Sequence, residues 1–302
     1  MTGRHEAAGA FDTRLSGLAR RTTSPLLRRA LHDGLTVAGM VFAAYYWWLL
    51  TTGAGQPVDA AWYWHADPAH LYPNPELGEA NGYNYSPAFE FVMAPLRLLD
   101  FPVFVAAWRA ALLALLAWMA GPLTLPLLLT VPVASEVNAG NIQILLGAAI
   151  VVGFRHPAAW ALVLLTKVTP GIGLLWFALR REWRHLAVAG AVTGALAAVS
   201  VMWMPGAWAG WLQLLSQPAP APSPYYWSFW SRLPLALGVI AIGAWRGWRW
   251  TVPVAATLAL PVFYIISPSL LVAAIPLARQ DLNDRRARTA QARLNARPSS
   301  PS

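Results

Sequence analysis

The chain has 302 residues, of which 57% are hydrophobic and only 12% are charged. A soluble domain of this length carries about 25% charged residues, so the composition excludes an ordinary soluble globular protein. The net charge of +9 comes from arginines that flank apolar segments, which is the pattern of cytoplasmic membrane ends and not that of a nucleic-acid-binding surface. Cysteine is absent, which excludes a disulfide framework. We therefore expect an all-α, polytopic protein of the plasma membrane.

The distribution of charge divides the chain into three parts. Residues 1–32 are basic and lack the apolar stretch of a cleavable signal peptide, so we expect a cytoplasmic N-terminal segment. Residues 33–280 carry the apolar segments of a membrane domain, and residues 281–302 form a basic tail that we expect to be cytoplasmic and disordered. A first span over residues 35–50 then places an acid-rich loop, residues 53–100, on the extracytoplasmic side.

The later apolar segments bring the expected total to about ten transmembrane or re-entrant helices. Both ends of the stretch 157–179 carry arginine, so we expect a helical hairpin there, broken by proline and glycine between Thr166 and Gly171. Residues 205–232 are predicted to form a second outer loop. The other expected membrane segments are Phe101–Ala120, Pro122–Ser135, Ile142–Phe154, Ala187–Trp203 and three passes after residue 232.

The acid-rich loop is the first candidate for a functional site, because it holds six of the thirteen acidic residues of an otherwise apolar chain. Acids are costly near lipid, and acids grouped beside a membrane are typical of functional sites. Asp59, just after the first span, is a candidate general base for a sugar hydroxyl, and the alternative is the N-cap of a short interfacial helix. The six acids are Asp59, Asp67, Glu76, Glu79, Glu90 and Asp100.

Other side chains of the same loop have both functional and structural interpretations. Tyr85, in a Tyr-Asn-Tyr-Ser-Pro run, can stack on a sugar face or anchor the loop among lipid headgroups. Glu90 and Arg97 lie seven residues apart on one helical face, so we expect them to pair or to face a polar cavity. His65 and His70 match the spacing of no dedicated metal site, and we expect no bound metal.

Lys167 is the only lysine of the chain and lies between two apolar segments. A buried ammonium requires an anionic partner, and the expected partners are Glu136, Asp59 or a ligand phosphate. A phosphate contact and a structural ion pair are both open at this point.

An Asn-Ala-Gly-Asn-Ile-Gln block precedes the apolar segment that starts at residue 142. The side chains of Asn138, Asn141 and Gln143 can cap the helix that begins there. They can equally hydrogen-bond sugar hydroxyls or a phosphate at the outer membrane face.

The order of these motifs resembles glycosyltransferase family 87, the polyprenyl-phosphate-mannose-dependent mannosyltransferases of the GT-C superfamily. An outer-loop Asp after the first span is followed by Tyr-Asn-Tyr-Ser-Pro, then by Asn-Ala-Gly-Asn-Ile-Gln, then by Thr-Lys-Val-Thr-Pro before Leu-Arg-Arg-Glu-Trp-Arg. The resemblance runs from about Val58 to Ala187, with weaker echoes at Ser228–Leu233 and Ser267–Pro268. It implies a GT-C-like helical fold.

The resemblance also implies an activity: transfer of a hexose, mannose in this family, from a polyprenyl-phosphate donor to a lipid or glycan acceptor. The transfer inverts the anomeric carbon, takes place on the extracytoplasmic face, and uses no cofactor besides the donor substrate. Asp59 then matches the catalytic aspartate of the family, and Lys167 matches a position where a donor-phosphate contact is expected. The implied substrate-binding residues are Lys167, Asn138, Asn141, Gln143, Tyr85 and Arg232.

The chain departs from the family pattern in its C-terminal half, which is shorter than in typical members. At Ile266-Ser267-Pro268-Ser269 it also lacks the histidine motif that members often carry. If that histidine holds the donor phosphate, Arg232 or Lys167 must replace it. The alternatives to an active transferase are therefore a degenerate, non-catalytic family member, or a membrane transporter or scaffold for the assembly of envelope glycans.

Overall fold

The computed structural model describes scattered positions between residues 29 and 45, and then residues 57–72, 83–217 and 228–295. Contacts divide the chain into two units, Met1–Ala54 and Gly55–Ser302. In the first unit the described positions are helical, and the predicted first span lies largely outside the described residues. All the residues discussed below belong to the second unit.

The described part of the second unit is built from helices, and it contains no β-strand. Most of the helices are short, because proline or glycine interrupts the apolar segments that the sequence predicts as spans. Five 3₁₀ turns join them, at Pro87–Phe89, Gly121–Leu123, Pro157–Ala159, Thr169–Gly173 and Ser267–Ala273. The α-helices are α1 (Val58–His65), α2 (Glu90–Leu96), α3 (Phe101–Ala120), α4 (Thr124–Leu128), α5 (Val131–Ala139), α6 (Gln143–Gly153), α7 (Trp160–Thr166), α8 (Leu174–Leu179), α9 (Trp183–Trp203), α10 (Pro205–Ser216), α11 (Phe229–Arg246), α12 (Thr251–Leu258) and α13 (Ala274–Asn295).

Two helical stretches of the described residues are long and apolar enough to cross a membrane, Phe101–Leu128 and Trp183–Trp203. A third is added if α5 and α6, which meet at a bend of 102°, count as one broken span. The structure therefore supports a helical membrane protein but does not confirm about ten spans. The predicted break between α7 and the Thr169–Gly173 turn is confirmed, because Lys167 adopts an extended backbone there.

Helix α6 lies within the hydrophobic core; it is too short to cross a bilayer and is surrounded by other helices. Nine of its eleven residues are buried, and 11 residues rise only about 16 Å, against a hydrocarbon core of about 30 Å. Helices α3 and α7 and the Ser267–Ala273 turn all contact it. Its apolar residues, apart from exposed Val152, therefore fill the protein interior.

Helix α9 has the opposite character, because its apolar side chains point outward. Large residues along its whole length are exposed, among them Leu196, Val199 and Met202. Such a surface is costly in water and is satisfied by lipid tails. Helix α9 therefore provides a membrane-facing side of the protein.

Arginines gather at the end of the unit where α3 and α11 terminate. Arg279 of α13 donates to the carbonyl of Ala120, the last residue of α3, at 2.9 Å. Arg180 donates to the carbonyl of Ala244 in α11 at 3.0 Å. Arg249 pairs with Asp284 at 2.9 Å. We call this region the basic end. The N-terminus of α3 lies beside α1 instead, about 30 Å away along a 20-residue helix.

Two segments differ from the sequence-based expectation. Residues 205–216, expected in an outer loop, form α10, which starts with a proline at a favourable first-turn position. The tail expected to be disordered from residue 281 is helical as far as Asn295. Alanine and arginine, which dominate this stretch, favour helix, and Asp281 ties it to the backbone N–H of Arg249 at 2.8 Å.

Candidate active site

Helix α1 carries Asp59 in its first turn, two residues after Pro57. Pro57 is the N-cap residue of this helix, so the N-cap interpretation of Asp59 is wrong. The Asp59 carboxylate accepts a hydrogen bond from the side chain of Asn141 instead. Asp59 is half-buried, while its neighbour Ala60 is completely buried. The side chain therefore faces the protein and not the bulk solvent.

Gly140 brings Asn141 against α1. It ends α5 in the left-handed region, with φ of 72°, where a residue with a Cβ is strained. A Cβ at this position would lie 2.7 Å from the Cβ of Ala60, so only glycine permits so close an approach. The indole N–H of Trp108 donates to the Gly140 carbonyl at 2.7 Å and fixes the turn from the other side. The glycine of the Asn-Ala-Gly-Asn block thus sets the position of the asparagine opposite Asp59.

Lys167 follows the last residue of α7 and approaches the same place from another direction. Its ammonium lies 5.9 Å from the centroid of the Tyr85 ring and interacts electrostatically with Asp59 and Glu136. Within the described ranges, no carboxylate lies within 4.0 Å of it. The ammonium therefore interacts with the two acids over a longer distance than a direct ion pair.

Two tyrosines form the wall beside these charges. The hydroxyls of Tyr63 and Tyr85 are hydrogen-bonded at 2.8 Å, and both rings are buried. Tyr63 lies one helical turn after Asp59, so both side chains share a face of α1. The Tyr72 hydroxyl donates to the Tyr85 carbonyl, and the Ser86 hydroxyl donates to the Leu165 carbonyl of α7. These contacts fasten the tyrosine loop to the helix that precedes Lys167.

Sequence reasoning considered Glu136 only as a partner of Lys167, but the structure places it within the site. It is completely buried, and its Oε1 accepts the backbone N–H of Ile144 at 3.1 Å. Its Oε2, like Oε1 of buried Gln143, has no hydrogen-bond partner among the described residues. The sequence signal that could have identified Glu136 as a site residue is its position, as a lone glutamate just before the Asn-Ala-Gly-Asn block.

Two other predicted site residues, Asn138 and Arg232, make structural contacts. Asn138 accepts hydrogen bonds from the Arg109 guanidinium, at 2.6 Å to its backbone carbonyl and at 3.1 Å to its side-chain oxygen. Arg232 donates to the backbone carbonyls of Leu258 and Leu260 at 2.8 and 2.9 Å. Their roles in substrate binding stay predictions. The residues that the structure brings together are Asp59, Asn141, Lys167, Tyr63, Tyr85 and Glu136.

Helix α1 is anchored at its C-terminal end by the predicted pair of Glu90 and Arg97. The two side chains form a buried ion pair, as expected from their spacing. Arg97 also donates to the carbonyl of Tyr63 at 3.0 Å, and Tyr83 donates to Glu90 at 2.7 Å. A cation at the carbonyl end of a helix is favourable, because it satisfies acceptors that the helix itself cannot pair. This network holds the helix that carries Asp59.

The environment of Asp59 changes its basicity. Burial raises the pKa of the carboxyl above its ordinary value, and the Asn141 hydrogen bond and the Lys167 charge offset part of that increase. Exposed Asp67, in the same loop, shows the contrary effect, since its hydrogen bond with His70 lowers its pKa. A carboxylate that is more basic than an ordinary aspartate suits proton abstraction from a hydroxyl.

The sequence profile of glycosyltransferase family 87 matches residues 83–296. No curated protein and no solved structure matches the chain. The matched range includes Lys167 and the Asn-Ala-Gly-Asn-Ile-Gln block but starts after Asp59, so the place of the aspartate in the site rests on the contacts above. Because the match covers most of its length, the chain belongs to glycosyltransferase family 87.

Proposed function

We propose that this membrane glycosyltransferase moves a hexose, mannose being our first choice, from a polyprenyl-phosphate donor to a lipid or glycan acceptor, with inversion. The observation that carries the proposal is the half-buried Asp59 carboxylate, bonded to Asn141 and electrostatically coupled to Lys167. The three residues come from segments far apart in the sequence. A base and a cation are the two groups that such a transfer requires.

In this mechanism Asp59 takes the proton of the acceptor hydroxyl. The hydroxyl oxygen bonds to the anomeric carbon of the donor sugar from the face opposite the phosphate. The bond between that carbon and the phosphate oxygen breaks, and its electron pair stays on the phosphate. Lys167 stabilises the negative charge that develops there, so the leaving group needs no strong acid. Tyr85, under the Lys167 ammonium, limits the position of that cation.

A lipid-linked donor is supported by an apolar cavity of about 220 Å³ beside α7. Its lining includes Phe89, Leu165 and Thr166, the last of which immediately precedes Lys167. Leu196, from the outward-facing helix α9, completes it on the membrane side. In the proposal this cavity holds the first isoprene units, while the phosphate lies at Lys167.

The orientation follows from the two ends of α3. The basic end carries the arginines Arg180, Arg249 and Arg279, and cytoplasmic membrane ends are enriched in such residues. The site lies towards the other end of α3, next to Trp108, two turns from the start of that helix. We therefore propose that the site opens to the extracytoplasmic face of the plasma membrane.

The test is sugar transfer from radiolabelled polyprenyl-phosphate mannose in membranes that contain matched amounts of each variant. Asp59→Asn should lower the rate by about 100- to 10,000-fold, the usual contribution of a general base. Lys167→Ala should lower it by about 100-fold or more, the usual contribution of one electrostatic stabiliser. Asp67→Asn is the matched control, because Asp67 lies in the same loop but pairs with His70 at the surface. It should keep wild-type activity.

The alternatives predict other outcomes of the same assay. Transfer by the wild type that Asp59→Asn leaves intact would contradict the base assignment while leaving a transferase. Correctly inserted wild-type protein that transfers no sugar, tested over several lipid-linked donors and acceptors, would favour the degenerate, transporter or scaffold interpretation.

A further inference from the structure

The site combines two carboxyl groups with one cation. Among the residues that the structure describes, Asp59 and Glu136 are the carboxyl groups, and Lys167 is the cation that interacts with both. A phosphodiester donor adds a negative charge beside them. Bringing that charge to a largely buried site in which both carboxyl groups are ionised is unfavourable, unless one of the two is protonated.

Glu136 is the group placed to be neutralised. It is completely buried, whereas Asp59 is half-buried and bonded to the Asn141 amide. Its Oε1 accepts the Ile144 N–H, and the Gln143 backbone N–H also interacts with the carboxylate, but Oε2 has no donor at hydrogen-bond distance among the residues that the structure describes. A proton on Oε2 would therefore break no hydrogen bond of the protein. The titratable and charged groups that interact with Glu136 are Asp59 and Tyr63 on α1, Tyr85 and Lys167. Two more lie next to these groups: Tyr264 interacts with Asp59 and Tyr85, and Arg109 bonds Asn138.

We propose that Glu136 takes up one proton from water when the anionic donor binds, and returns it when the lipid phosphate leaves. The inference rests on the proposed function, since it requires the donor phosphate to lie at Lys167. Glu136 does not act on the reacting atoms. It balances the charge of Lys167 before the donor binds, and the donor phosphate balances that charge afterwards. Asp59 thereby stays ionised and available as the base while the donor is bound.

The first test measures donor affinity against pH with polyprenyl-phosphate mannose, whose phosphodiester does not itself titrate in the range used. Uptake of one proton makes wild-type affinity rise as pH falls, by up to tenfold per pH unit. Glu136→Gln is a neutral isostere of the protonated acid that keeps an oxygen for the Ile144 N–H. It should bind with the low-pH affinity of the wild type and with no pH dependence over that range.

Glu182→Gln is the matched control, because Glu182 pairs with Arg180 at the basic end and should leave the wild-type slope unchanged. If Glu136→Gln kept that slope, Glu136 would be only a cap of α6 and the inference would be overturned. If the wild type bound no donor at any pH, the proposed donor site would be contradicted, and the inference that rests on it would be contradicted too.

The second test separates Glu136 from Asp59 as the protonated group. The inference expects kcat to stay constant over the pH range in which donor affinity rises, because the base is still ionised in the donor complex. A kcat that fell in parallel with the rise in affinity would place the proton on Asp59 and contradict the inference.

Discussion

Replacing Gly140 by alanine tests whether the close approach of two segments positions the catalytic base. The added Cβ would lie 2.7 Å from the Cβ of Ala60 and 3.2 Å from the Trp108 ring. The backbone φ of 72° adds about 1–2 kcal/mol for a residue with a side chain. Steric crowding in a packed core costs about 1–3 kcal/mol more. We expect a loss of roughly 2–5 kcal/mol in folding free energy.

The activity of the Gly140→Ala variant should fall further than its stability alone explains. Relief of the contact requires α1 to move outward by about 1 Å, and a misplacement of that size costs about 100-fold in rate. Both effects are measured in one preparation, by thermal unfolding in detergent and by sugar transfer per folded molecule. Gly194→Ala is the matched control, since nothing lies within 4 Å of its Cβ, and it should be neutral or slightly stabilising. Full transfer activity in folded Gly140→Ala would refute the reasoning.

Three other predictions concern charge and orientation. Asn141→Ala removes a hydrogen bond that lowers the pKa of the base, so the acid limb of the rate profile should move to higher pH; an unchanged limb would contradict the assignment. Glu90→Gln leaves Arg97 without its buried partner and should destabilise the protein by about 3–5 kcal/mol in thermal unfolding, much of which a second change, Arg97→Met, should restore. In this cysteine-free chain, Leu98→Cys at the site end should react with an impermeant maleimide in intact cells, and Trp245→Cys at the basic end only after permeabilisation; the reverse pattern would invert the orientation.

Several features of the fold follow from local sequence. The low charge content and the long apolar segments indicate a helical membrane protein, because they report directly on transfer to lipid. Proline and glycine after Thr166 predict the break that the structure confirms, since they act on the backbone within a few residues. The seven-residue spacing of Glu90 and Arg97 predicts their pairing for the same reason.

The number of spans could not be predicted in this way. Helix α6 is as apolar as a span, but it is short and enclosed by other helices. An apolar residue is equally satisfied by lipid and by protein, so hydropathy does not distinguish a buried helix from a membrane-facing one. The two environments become visible only when the neighbouring helices are in place, as the outward-facing residues of α9 also demonstrate.

Sequence motifs and tertiary structure together determine which residues form the candidate site. Sequence motifs single out Asp59, Asn141 and Lys167, because charged and amide side chains are conspicuous in an apolar chain. Only the tertiary structure determines that they meet, that Glu136 joins them with one oxygen unpartnered among the described residues, and that Arg232 binds backbone carbonyls. Local patterns report on residues within one or two turns, whereas these contacts join residues that are brought together by the packing of α1, α5 and α7 around a glycine without a side chain.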